Sequence, residues 1–347
     1  MRQFHLIPVF LTLLFAVFIT SCEKTASVPA PVTGKPTVFV PVAPYAFLAE
    51  SIGGDIFDVQ TLASEGSDPH TFTPTPKDVV NLSASQLYFT AELPFERALL
   101  EKLEESKYAP RVVNLLEGLE TVDGSCDHPS HDHSHDHGDH SHDHAHEDDH
   151  SHDHDDHDHA HEDDHSHDHD DHDHAHEDDH SGHDHSGLDP HVWLSPAHLI
   201  EQAGIVSSAL RELADSDEAK EKIDERTLQL IFEITSTDKE LVTALGPFRG
   251  ETFYVYHGAF GYFANAYGLI QKPVEINGRS PEPKALVSLI EQAKKDEVSV
   301  IFVQPQFDTS SAEALAEAIG GKVLPIDPLA KDVLKNLINI AEVITGK

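Results

Sequence analysis

The chain has 347 residues, 39% of them hydrophobic, and carries a formal charge of -39. That length can bury the cores of two domains of ordinary size. With 23 Lys and Arg against 62 Asp and Glu there is no basic patch to neutralise phosphates, so nucleic acid is excluded as a partner. Residues 127–186 hold 23 of the acids and no Lys or Arg, which leaves -16 for the rest, and an acidic chain of this kind suits a metal cation.

Residues 4–19 form an apolar run behind Arg2, of signal-peptide length and short for a membrane-spanning helix. It ends in Ile19-Thr20-Ser21-Cys22, similar to a bacterial lipobox, so residues 1–21 are expected to be a lipoprotein signal peptide and Cys22 the lipidated first mature residue. The alternative is a secretory signal that ends by chance near a cysteine. The only other cysteine, Cys126, implies no disulfide framework. Residues 22–36, rich in Pro, Thr, Ser and Ala, read as a flexible tether to the membrane surface.

An N-terminal lobe is expected over residues 37–215. Strands are predicted at 37–42, 56–62, 86–90 and 111–114. Helices are predicted at 44–52, stopping at Gly53-Gly54, after Thr75-Pro76, and at 94–105. Strand alternating with helix argues for an α/β lobe built on a parallel sheet. Ligands gather beyond the carboxyl ends of such strands, where the loop 63–76 carries His70.

The tract at 127–186 interrupts this lobe. From His144 a 15-residue unit, HAHEDDHSHDHDDHD, repeats at His159 and begins again at His174. It has nothing to bury and is expected to be disordered without ligand. Its three His-Glu-x-x-His matches to a zinc-protease motif arise from repetition of a few residue types, not from a buried helix. Neutral imidazoles beside carboxylates make a labile ligand for Zn, Cu or Ni. With unperturbed His near pKa 6.5, acid below about pH 6 should release the metal. A solvated spacer with incidental affinity is the alternative.

Beyond the tract, helical spacing runs through 196–213 and again through 217–245, so residues 216–245 are expected to form a long connecting helix. A C-terminal lobe over 246–347 repeats the pattern, with strands predicted at 252–256, 274–276, 298–303 and 322–326 and helices at 283–294, 310–319 and 331–344. Outside the tract and the signal peptide only four histidines remain. His198, in the first turn of its helix, is expected at the surface and not as a ligand. His70 and His191 each end an Asp-Pro-His tripeptide, a proline-stiffened turn. His257 and Asp327 each follow a predicted strand. Three imidazoles and one carboxylate from four segments suit tetrahedral zinc, and His70, His191, His257 and Asp327 are the candidate ligands.

Four segments carry a resemblance: Asp68-Pro69-His70-Thr71-Phe72-Thr73-Pro74-Thr75-Pro76, Leu188-Asp189-Pro190-His191-Val192-Trp193-Leu194-Ser195-Pro196, His257-Gly258-Ala259-Phe260-Gly261-Tyr262-Phe263 and Ile326-Asp327-Pro328-Leu329. Together they resemble the metal-binding solute receptors of bacterial ABC importers, in their zinc-binding (ZnuA-like) branch. The resemblance implies two α/β lobes joined by one long helix, metal in the cleft between them, and no enzymatic activity. It implies a lipid-anchored, monomeric protein on the periplasmic side of the membrane that passes Zn2+ to a permease driven by an ATPase. Manganese-binding relatives place a carboxylate where His257 stands, and some zinc-binding members complete the site with water or a loop residue in the fourth position. The rival readings are a manganese or iron receptor of the same fold, a zinc hydrolase, and an envelope zinc buffer or adhesin without transport.

Overall fold

The computed structural model describes residues 34–104, 109–122, 188–276 and 278–347. Cys22, most of the tether, Cys126 and the His/Asp tract lie outside the described residues. The first half contains β1 (Thr37–Val40), α1 (Ala43–Gly53), β2 (Asp58–Thr61), α2 (Pro76–Ser83), β3 (Leu87–Thr90), α3 (Pro94–Glu104) and β4 (Arg111–Asn114). All strand pairs are parallel, in the order β2-β1-β3-β4. Parallel neighbours need a crossover, and the helices between strands supply it while covering the sheet. Central strand β3 is accordingly buried along its whole length.

A 3-10 turn (Val192–Leu194) leads into α4 (Pro196–Leu213) and α5 (Asp217–Leu245). The second half then repeats the first, with β5 (Thr252–Val255), α6 (Gly261–Tyr267), β6 (Ile270–Pro273), α7 (Pro283–Lys295), β7 (Val300–Val303), α8 (Ser310–Ile319) and β8 (Lys322–Pro325). Its sheet has the equivalent order, β6-β5-β7-β8, again parallel throughout. The chain closes with α9 (Val333–Thr345). The expected class, two parallel-sheet α/β lobes joined by a long helix, is what the structure shows.

Helix α5 has 29 residues, about 43 Å at 1.5 Å per residue. Ser216 caps it by accepting from Ala219 N, and Asp217 and Glu218 face the positive end of its dipole. One stripe is buried: Ile223, Thr227, Leu230, Ile234, Thr237, Leu241 and Leu245. Arg226 on α5 donates to Gly53 O (3.0 Å) and Asp55 Oδ1 (2.8 Å), pinning the end of α1. Gly54 lies under that guanidinium at φ 55, where a Cβ would come within 2.2 Å of Nη1. Helix α9 turns back onto α5, burying Val333, Leu337, Ile340 and Ala341 in a core that also holds residues of α1 and α4. Lys331, just before it, reaches Glu50 on α1 at 2.8 Å.

One expected strand is misplaced. The strand predicted at 274–276 lies at Ile270–Pro273, on the edge of the second sheet. Edge position explains its polar sequence and tolerates Pro273, whereas apolar Val274 is buried just beyond the strand. Exposed Glu297, after α7, holds φ at 53. Left-handed backbone costs an ordinary residue roughly 1–2 kcal/mol, and glycine gives some of that back as unfolded-state entropy. Glu297→Gly should therefore raise stability by about 0.5–1 kcal/mol, to be measured by chemical denaturation.

Candidate metal centre

Each of the two Asp-Pro-His tripeptides folds as an Asx-turn. Asp68 Oδ1 accepts from His70 N at 2.9 Å, and Asp189 Oδ1 accepts from His191 N at 2.9 Å. Asp68 also takes the Thr71 hydroxyl through Oδ2 (2.9 Å), which stiffens the first loop before Thr75 and Asp78 close a capping box on α2. The turn throws each imidazole forward from a fixed backbone. His257 arrives differently, two residues beyond β5, with its backbone gripped by Gln304: His257 N donates to Oε1 at 3.0 Å and Nε2 donates to His257 O at 2.7 Å.

These three segments converge. One ligand atom from each of His70, His191 and His257 can be chosen so that all lie within 4.8 Å of one another. The ring centroids are 5.6 Å apart for His70 and His191, 4.7 Å for His70 and His257, and 5.2 Å for His191 and His257. His191 and His257 are buried and His70 is half-buried. Three imidazoles facing one another at these distances gain little from packing alone, whereas a cation with nitrogen ligands near 2.0–2.1 Å would draw them together.

Two carboxylates set the rings. Asp189 Oδ1 accepts from His191 Nδ1 at 2.7 Å, and buried Glu275 accepts from His257 Nδ1 at 2.5 Å through Oε1. Because a carboxylate accepts, Nδ1 carries the proton in both rings and Nε2 keeps its lone pair for a cation. His257 Nε2 is buried without a hydrogen-bond partner among the described residues. Such an atom costs free energy unless something binds it. The Phe307 ring lies against that of His257 at 4.8 Å with an interplanar angle of 31°, adding an apolar wall.

Asp327 behaves differently from the three histidines and does not join their group among the described residues. Its Oδ1 accepts from Leu329 N (2.9 Å) and Gln306 Nε2 (2.8 Å), and its carbonyl accepts from Asn336 Nδ2 (2.6 Å). Asp327-Pro328-Leu329 is thus a third Asx-turn with Leu where the others carry His. Trp193 Nε1 donates to Pro328 O at 2.8 Å, so this turn is fastened to the segment that presents His191.

His198 is half-buried and not the surface residue expected. Its Nε2 meets Glu120 O at 2.7 Å and its Nδ1 meets Ser195 Oγ at 2.9 Å, so both ring nitrogens are engaged away from the cluster. Sequence reasoning missed Glu275, Gln304 and Phe307. Among these, only Glu275 had a signal, as an acid between two apolar residues, and the misplaced strand concealed it.

The sequence matches the family described as "Zinc-uptake complex component A periplasmic" over residues 38–337. "Zinc-binding lipoprotein AdcA" of Streptococcus pneumoniae is 25% identical over 334 residues, 93% of this chain and 55% of that protein. The chain therefore spans about half the length of that relative. "High-affinity zinc uptake system protein ZnuA" of Yersinia pestis is 25% identical over 313 residues, 86% of this chain and 84% of the relative. A solved structure described as "Crystal structure of ZnuA" superposes with a TM-score of 0.69 at 26% identity, covering 90% of this chain and 98% of its own. A match that takes in both sheets, the long helix and all three convergent histidines leads to one conclusion: the chain belongs to the periplasmic zinc-uptake complex component A family.

Proposed function

We propose that the protein is an extracytoplasmic receptor that captures Zn2+ between its lobes and delivers it to the permease and ATPase of an ABC importer. His70, His191 and His257 hold the ion, and water or another small ligand completes the tetrahedron. The observation that carries this reading is the set of three imidazoles with ligand atoms within 4.8 Å of one another, one of them a buried Nε2 without a partner. An all-imidazole set favours zinc over manganese, which prefers oxygen ligands. Asp327, with Oδ1 held by its turn and by Gln306, is a candidate fourth ligand through Oδ2. The names of the relatives, which describe zinc binding and high-affinity zinc uptake, support the same assignment.

A zinc hydrolase needs a general base beside an open coordination position. Both carboxylates bonded to the ligand rings, Asp189 and Glu275, are committed to Nδ1 atoms on the side away from the ion. That commitment supports a binding role without catalysis. The reading places the protein outside the cytoplasmic membrane as a monomer anchored through lipidated Cys22, with the His/Asp tract gathering zinc near the lobes. A zinc titration of the full chain and of a variant lacking residues 127–186, read by metal content and chelator competition, tests this division of labour. One tight site is expected in both proteins, outcompeting Mn2+, with weak sites only in the full chain. Loss of the tight site on deletion, or equal affinity for Mn2+, would overturn the proposal.

A further inference from the structure

Helix α6 begins four residues after His257, and its second residue, Tyr262, points back at the other lobe. The Tyr262 hydroxyl donates to Asp189 O at 2.9 Å and accepts from Val122 N at 3.1 Å. Asp189 N in turn donates to Val122 O at 2.9 Å, so these two backbone segments are stitched to each other and to the tyrosine. The ring of Tyr262 meets that of His198 edge to face, with centroids 5.0 Å apart. Its side chain is 3% exposed, and burial pushes the hydroxyl up to about 12, which keeps it a donor at any physiological pH.

Asp189 is thereby held on several sides. Tyr262 takes its carbonyl and Val122 takes its N–H. Its carboxylate lies against Gly261, where a Cβ would stand 3.1 Å from Oδ2. What remains of its bonding, through Oδ1, goes to His191 N and to His191 Nδ1. The chain of contact therefore runs from the helix that follows one ligand to the carboxylate that orients another, across 73 residues of sequence.

We infer that Tyr262 is a positioning residue of the zinc site: its hydroxyl, on the second lobe, fixes Asp189 and through it the ring of His191 on the first. This rests on the reading of the three histidines as the zinc ligands. Partners one step out from a metal ligand, here Asp189, typically change affinity by 10–100-fold when lost, and Tyr262, which acts through Asp189, belongs at the lower end of that range. Without the hydroxyl, Asp189 and Val122 lose their shared partner, and the His191 imidazole can turn away from the ion.

The test uses the full chain loaded with one equivalent of Zn2+, chased into excess chelator, with the slow phase followed in wild type, Tyr262→Phe, Asp189→Asn and the double variant. Tyr262→Phe keeps the ring against His198, and apo-protein melting checks that the fold is intact. We expect zinc to leave roughly tenfold faster in Tyr262→Phe. In the Asp189→Asn background the same change should add less than about twofold, because both act on one imidazole. A wild-type dissociation rate in Tyr262→Phe, or effects that simply multiply, would show a residue that only packs and would overturn the inference. His257→Ala separates the two readings. If it keeps the tight ion, the ligand assignment falls and this inference with it; if it loses the ion while Tyr262→Phe keeps the wild-type rate, only the role of Tyr262 falls.

Discussion

Replacing His257 by Ala should weaken zinc binding by roughly a thousandfold. Zinc held by protein nitrogen and sulfur ligands is worth about 10–16 kcal/mol in all. A third of that, about 4 kcal/mol, corresponds to three decades at about 1.4 kcal/mol per decade. Melting with and without metal is the clearest readout. At free zinc a hundred times the wild-type Kd the native protein gains about 2.7 kcal/mol, whereas a variant weakened a thousandfold gains almost nothing. The substitution also strands Glu275, 3% exposed and bonded to His257 through Oε1, so the apo protein should lose stability as well. Adding Glu275→Gln should restore part of that stability and none of the zinc response. A His257→Ala protein with the wild-type zinc-induced shift would remove this residue from the site.

The sequence made this centre legible because its ligands are advertised by their neighbours. Asp-Pro before His70 and before His191 marks a turn whose aspartate bonds the histidine backbone, and both turns form. Asp327 was read from its strand-end position instead, and among the described residues it does not join the three histidines. Its carboxylate Oδ1 serves its own turn and Gln306, and a strand-end position alone does not distinguish a turn-forming acid from a coordinating one. Helices α4 and α5 were readable to the residue, since their apolar spacing agrees with tertiary packing. Glu275 was hidden by an edge strand too polar to recognise. Gln304 and Phe307 were hidden for another reason: they reach His257 only because β7 pairs beside β5, a neighbour relation that no local pattern records.

Trp193→Ala should have the largest effect on stability of any single substitution near the site, about 4–8 kcal/mol. The side chain is fully buried. It packs edge-on to Tyr45 at 5.4 Å and to His191 at 5.2 Å, and its Nε1–H is the donor that fastens Pro328 O. Truncating a buried Trp to Ala costs about 3–5 kcal/mol in lost contacts and cavity. An orphaned buried carbonyl adds about 1–3 kcal/mol. Against the 5–15 kcal/mol typical of whole domains, that leaves a marginal protein, with melting lowered by about 10 °C or more. Trp193→Phe separates the two contributions, since it fills much of the space and loses the hydrogen bond, and should cost about 1–3 kcal/mol. The same residue joins the His191 segment to the Asp327-Pro328 turn of the other lobe, so zinc affinity should fall in both variants along with stability. Because it is the only tryptophan in the chain, its fluorescence in the wild type reports directly on the ring beside His191. If Trp193→Ala unfolds within about 1 kcal/mol of wild type, or if zinc leaves that fluorescence untouched, then the indole does not brace the ligand and the coupling between the two lobes must run elsewhere.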